Sequence, residues 1–494
     1  MNLTRRGFLA ASVASAMPLL MPARGPASAG PLTLRAETRV IDVGGRAATL
    51  WGLSNASGSQ GLTLTPGERF RVELTNALPE PTLIHWHGQI PPNVQDGVPD
   101  MPAPKLKPGE TRGYDYAPRP GTYWMHAHIP MQELRLLAAP LIVRTAEEQA
   151  EDRQEVVMFL HEFSFTPPEQ VMAAVTGAAP QATGAGGGMA GMSGMGGMSG
   201  MSGMSGMSGM SGMSGMSGMG GMAMDLNDFD FDAYLANDRT LDDPEVVRVE
   251  KGGRVRLRVV NASSATVFWL DLGGLSGQLV AVDGEPVRPV ALRRFGLAMA
   301  QRADLLIDLP GPGAFPILAL REGTRERSGI VLASPGAPVT KINVQSEAEA
   351  PAFSANLAQE GGLRAANPLA VRPVDHAQTI MLSGSMQPYV WTIDGRTWAD
   401  HVPVAVTSGQ RVELTFHNMS MMAHPMHLHG HVFQVVALNG TRFLGALRDT
   451  VHVPPMAAVT IAFDAGEAAS WMLHCHHMFH LQTGMMTELA VASA

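Results

Sequence analysis

The chain has 494 residues, is 45% hydrophobic and 16% charged, and carries a formal net charge of −9. That length favours several domains over one, the apolar fraction supplies real cores, and the lack of a basic excess argues against nucleic acid as a partner. A single cysteine, Cys475, excludes an intrachain disulfide framework and thiolate-rich zinc or iron–sulfur sites, while 33 methionines exceed what ordinary cores use.

Residues 1–29 read as an address. A charged start with Arg5-Arg6, an apolar stretch to Met21 and Ala27-Ser28-Ala29 describe an export signal, too short in its apolar part for the roughly 20 residues of a spanning helix. The arginine pair before Gly7-Phe8-Leu9 resembles a twin-arginine signal. The expected partner is therefore the twin-arginine export machinery, and the expected location of the mature chain is the periplasm. No other apolar run is long enough for a stable membrane span, and a monomer is expected.

Three segments repeat one pattern: Gly67 to Asn76, Gly252 to Asn261, and Gly409 to Asn418. Each has Arg two residues after the Gly (Arg69, Arg254, Arg411), then apolar alternation, then Asn nine residues after the Gly. Period-two alternation between turn residues predicts a half-buried strand, and three copies predict three homologous β-domains. The expected fold is all-β, with three Greek-key β-sandwich domains at 30–147, 148–345 and 346–494. Nine residues beyond Asn76 stands His85-Trp86-His87-Gly88, and nine beyond Asn418 stands His427-Leu428-His429-Gly430. The middle copy has Leu270-Asp271-Leu272-Gly273 there and has lost both histidines.

Within the middle domain, residues 184–224 form an insertion in which methionine recurs at every third position from Met189 to Met222. Gly and Ser at the other positions prevent a packed core, so a disordered segment is expected. Thioethers select Cu(I) over hard cations, which makes cuprous capture one reading of the tract and a low-complexity linker the other.

The first and third domains close alike, with Trp124-Met125-His126-Ala127-His128 and Trp471-Met472-Leu473-His474-Cys475-His476. Running both on without gaps sets Gln132 opposite His480 and Leu137 opposite Met485. On a strand, residues i and i+2 share a face, so each of the pairs 85/87, 126/128, 427/429 and 474/476 can present two imidazoles together. Eight imidazoles at one interface suit three metals with open positions for a small ligand. His424, Cys475 and His480, with Met485 as a weak axial thioether, make the blue-copper electron-transfer set. Cys475 lies between two histidines of the cluster, and such wiring suits four-electron reduction of dioxygen to water.

His85-Trp86-His87-Gly88, His126-Ala127-His128, the run from His424 to Gly430, and the run from His474 to Met485 resemble the four copper motifs of multicopper oxidases. The resemblance covers nearly the whole mature chain. It implies three cupredoxin-like domains and four copper ions: one type 1, one type 2 and a type 3 pair. By the same resemblance, His85 and His427 bind the type 2 copper, and His87, His126, His128, His429, His474 and His476 bind the type 3 pair. The export signal, the methionine-rich insertion and the axial Met485 look like bacterial copper efflux oxidases. These oxidise Cu(I) with O2 and serve copper tolerance, and they also accept phenols.

The resemblance makes Asp96 an acid assisting proton delivery; a turn residue before Gly97 is the other reading. The acid often found after the second type 1 histidine is here Leu481. Asp449 can orient a ligand imidazole. Met419, Met421 and Met422 stand before His424, either as a Cu(I) substrate site or as apolar packing. A laccase-like phenol oxidase and a non-catalytic copper sink or chaperone are the rival functions.

Overall fold

The computed structural model describes residues 30–177, 226–250, 252–353 and 357–494; the export signal and the methionine-rich tract lie outside them. The described residues from Leu32 to Ala494 pack as one unit, in which six sheets follow one another as three pairs. The first pair holds strands Arg46–Asn55, Leu32–Val43, Phe70–Asn76 and Thr111–Tyr116 against Leu62–Leu64, Ala138–Val143, Gly121–Ala127 and Ile84–His87. The middle pair, six and five strands, is built between Gln154 and Ala333. The third pair, seven and five strands, runs from His376 to Ala492. This is a cupredoxin-like all-β architecture, with helices confined to short connections.

The repeated pattern forms equivalent strands: Phe70–Asn76, Arg254–Asn261 and Arg411–Asn418. Each pairs in parallel with the long opening strand of its sheet (Leu32–Val43, Gln154–Phe163 and His376–Met386) and antiparallel with a strand on its other side. The arginines in register pair with Asp115, Asp152 and Asp464.

The asparagines recur for a physical reason. Asn76, Asn261 and Asn418 are fully buried, and each closes the loop that follows its strand. Asn76 Nδ2 donates to the carbonyls of Glu80 and Leu106, and its Oδ1 accepts from the Leu78 amide. Asn261 does the same with Thr266, Leu297 and Ser263, and Asn418 with Met422, Val453 and Ser420. A buried side-chain amide satisfying three backbone groups leaves little freedom to the loop between. In the first and third pairs that loop delivers a histidine strand.

Asn261→Ala tests this constraint away from any histidine pair. Orphaning three buried backbone groups is expected to cost about 3 kcal/mol of unfolding free energy in urea titration, with copper content unchanged.

Candidate metal centres

The histidine pairs sit on two antiparallel ladders. Ile84–His87 pairs with Gly121–Ala127 so that His85 faces His126, and His424–Leu428 pairs with Ser470–Cys475 so that His427 faces His474. The glycine after each pair is required by space and backbone. Gly88 has φ +83°, and a Cβ there would stand 2.5 Å from Asp449 Oδ2. Gly430 has φ +65°, and its Cβ would stand 2.2 Å from the Trp471 ring. Any L side chain would collide in that backbone conformation.

Ladders from the first and third sheet pairs meet face to face. The donor atoms of His87, His126 and His476 lie within 4.8 Å of one another, as do those of His128, His429 and His474, and those of His85, His87 and His427. All eight imidazoles are buried. His85 Nε2, His87 Nδ1, His126 Nε2, His128 Nε2, His427 Nε2 and His476 Nε2 have no hydrogen-bond partner, while His429 Nε2 and His474 Nε2 face each other at 3.1 Å. Buried polar atoms are normally satisfied, so inward-facing orphans in such number describe a site for something else. Burial, reinforced by neighbouring histidines, holds His87, His126, His128, His427, His429 and His476 well below the ordinary histidine range, and His474 is lowered to about 3. These seven imidazoles are thus neutral, the state that ligates metal.

The opposite ring nitrogens are tied outward. His85 Nδ1 donates to the Asp96 carbonyl at 2.8 Å, His427 Nδ1 to the Asp449 carbonyl at 2.8 Å, and His429 Nδ1 meets Asp96 Oδ2 at 2.8 Å. Asp96 therefore spans the two ladders, touching His85 on one and His429 on the other, and its Oδ1 is buried without a hydrogen-bond partner. It does so at the end of a short 3-10 turn over Asn93–Gln95. Asp449 Oδ1 stands 3.1 Å from His87 Nε2.

The second centre lies within the third sheet pair. Cys475 Sγ is 3.7 Å from both His424 Nδ1 and His480 Nδ1, and the two nitrogens are 3.1 Å apart. The Cys475 amide donates to the Met485 carbonyl, and Met485 is fully buried. Burial pushes the Cys475 thiol up, so it keeps its proton until a cation displaces it.

The structure also brings forward residues that the sequence did not single out. Asp228, its side chain buried, faces His480 Nε2 at 3.6 Å and His477 Nε2 at 3.2 Å, and accepts a 2.7 Å hydrogen bond from the Tyr389 hydroxyl. Ser420 Oγ meets His424 Nε2 at 2.8 Å. A cavity of about 30 Å³ beside this centre is lined by Met299, Glu322, Met421, Met422, His452 and His477, among others. Met422 is buried and Met421 is 54% exposed at its mouth; Met419, 48% exposed, is not in the lining. Glu133, which gapless register sets opposite Leu481, places Oε1 3.5 Å from His126 Nδ1, and burial pushes its carboxyl up to about 8. That register was the one signal that could have found it.

One cluster of eight buried imidazoles and one set of a cysteine sulfur with two imidazoles are soft and borderline donors of the kind copper takes. Family models described as multicopper oxidase match residues 36–148, 209–334 and 371–494. Multicopper oxidase MmcO of Mycobacterium tuberculosis is 29% identical, covering 98% of this chain and 96% of that protein. Copper resistance protein A of Escherichia coli is 24% identical over 86% of each chain, and laccase-4 of Trametes villosa is 24% identical over 86% of this chain and 82% of its own. The crystal structure of a multi-copper oxidase from Pseudomonas thermotolerans superposes with a TM-score of 0.68 at 22% identity, covering 93% of this chain and 98% of that one, a likeness of fold. The chain belongs to the multicopper oxidases, oxidoreductases that bind a type 1, a type 2 and a type 3 pair of copper ions.

Orphaned donors gain partners only when metal binds the folded state, so copper is expected to stabilise the chain. At free copper a thousandfold above Kd the gain is about 4 kcal/mol per site, read as a rise in calorimetric Tm; an unchanged Tm would contradict the donor sets.

Proposed function

We propose that the chain is an exported, periplasmic cuprous oxidase serving copper tolerance, with domains at 30–147, 148–345 and 346–494. His424, Cys475, His480 and Met485 hold the type 1 copper. His85 and His427 hold the type 2 copper, and His87, His126, His476, His128, His429 and His474 hold the type 3 pair. The grouping of donors into one triad about His126 and another about His128 supports this division. When bound, the four coppers supply the one-electron acceptors through which Cu(I) is oxidised and O2 is reduced to two waters.

The protein's own part is to orient, to exclude and to hold protons. His474 and His476 flank Cys475 in the chain, so one residue on either side joins the two centres. Asp96, at the wall shared by His85 and His429, is the acid that would pass protons to the oxygen being reduced.

The observation that carries the cuprous reading is how the type 1 histidines are closed off. Both are buried; the Nε2 of His424 is capped by Ser420, and that of His480 faces Asp228. The His480 ring packs on His477 at 3.9 Å and on Trp391 at 4.1 Å. A cavity of about 30 Å³ admits an ion or a water, whereas organic ligands occupy pockets of roughly 300–1,000 Å³. Thioethers and imidazoles line it, which suits Cu(I). Leu226, the first described residue after the methionine-rich tract, stands in the same wall, so the covalent chain runs from the tract directly to it.

Oxygen uptake with Cu(I) tests the reading. Uptake is expected in the copper-loaded protein and lost in Cys475→Ser, and Met421→Ala is expected to raise the cuprous KM about tenfold, a binding loss of about 1.4 kcal/mol. Faster turnover of phenols than of Cu(I) would make it a laccase; no uptake with either would leave a copper sink.

A further inference from the structure

The middle sheet pair carries no histidine pair, yet one of its side chains reaches the eight-histidine cluster. Arg302, at the start of strand Arg302–Asp308, is fully buried. Its guanidinium grips the Asp449 carboxylate with two parallel hydrogen bonds, Nη1 to Oδ1 at 2.7 Å and Nη2 to Oδ2. Nε donates to the Thr122 carbonyl of the first sheet pair at 3.2 Å, and Nη1 also donates to the Ala300 carbonyl at 3.0 Å. One planar fork thus touches all three sheet pairs. Behind it, Asp283 accepts from the Arg302 amide and from Arg448 Nη1, and Arg448 is itself paired with Glu360, so the buried charges are matched rather than isolated.

We propose that Arg302 is a positioning residue of the trinuclear centre, acting through Asp449. Asp449 addresses one ligand with its side chain and another with its main chain. Its Oδ1 accepts from His87 Nε2 at 3.1 Å and from the Thr450 hydroxyl at 2.9 Å, and its carbonyl accepts from His427 Nδ1 at 2.8 Å. An imidazole that donates from one nitrogen presents the lone pair of the other. His87 is thereby left with Nδ1 as its donor and His427 with Nε2, the two nitrogens that are buried without partners. A carboxylate in such a site needs a fixed cation to stay charged and in place, and a bidentate arginine supplies both charge and direction. Gly88 completes the device: its absent Cβ would fall 2.5 Å from Asp449 Oδ2 and 2.6 Å from Arg302 Nη2. The glycine of the first histidine motif is therefore the space into which the middle sheets' fork closes.

The inference rests on His87 and His427 being copper ligands, not on the identity of the reductant. Asp449→Asn keeps shape but loses the charge, and Arg302→Lys keeps charge but loses the fork. In copper titrations of each full-length variant, affinity at the three-metal cluster is expected to fall about 10- to 100-fold. The type 2 electron paramagnetic resonance signal should change while the type 1 blue absorption is retained. Wild-type copper content and an unaltered type 2 signal in both variants would overturn the proposal. So would equal loss of blue and trinuclear copper, which a general support role would give. Should both variants fail to fold, Gly88→Ala displaces the same pair by one methyl group and is read in the same way. Blue absorption without cluster copper in the unchanged protein would fail the ligand assignment instead, and none of these readouts involves a reductant.

Discussion

Eight imidazoles converge because two antiparallel ladders, one in the first sheet pair and one in the third, put histidine opposite histidine. His85 against His126 and His427 against His474 each turn a two-residue period into a patch of four donors. A slip of one residue in either ladder would send every imidazole to the opposite face. Register is therefore the constraint on which the cluster depends, and much of the surrounding structure can be understood as fixing it. The buried asparagines close the loops before the histidine strands, and the two motif glycines let those strands turn away at once beneath Asp449 and Trp471.

Burial gives this arrangement its chemistry. Burial disfavours the charged form of most of these imidazoles, and the outer nitrogens of His85, His427 and His429 are tied to the Asp96 carbonyl, the Asp449 carbonyl and the Asp96 carboxylate. Orientation is thus settled before any metal arrives. The cost is a set of charges held out of water, and matched forks meet it: Arg302 with Asp449, Arg448 with Asp283 and Glu360, and Arg258 with Asp304, Glu155 and Glu148. The last of these also takes Thr122 of the first sheet pair, so the middle sheets act as a buried electrostatic key between elements that bear the donors.

The sequence made the strand repeat and the histidine pairs legible because both are local and periodic, and the Cys475 set because its spacing is short. Asp96 and Asp449 were visible only as acids beside motifs; what they touch depends on contacts across the fold. Arg302 stands 147 residues from Asp449, and nothing in its neighbourhood marks it among many arginines. Asp228 sits in a run of alternating aspartates and phenylalanines that gives no hint of the His480 it faces. Glu133 was within reach, since the same gapless register that set Gln132 opposite His480 sets it opposite Leu481. Met419, Met421 and Met422 are neighbours in sequence, but only the last two line the cavity, which adjacency alone does not tell.

The two centres differ in how many parts of the chain must be in place before they exist. His424, Cys475, His480 and Met485 all belong to the third sheet pair, three of them to one strand and the turn that follows. The three donor triads of the cluster described above each draw on both the first and the third sheet pairs, so they come together only when those have docked. The donors of the first centre can then come together before those of the second during folding. Under the ligand assignment proposed above, metal loading would become a clock on assembly, the first centre reporting a folded part and the second the finished whole.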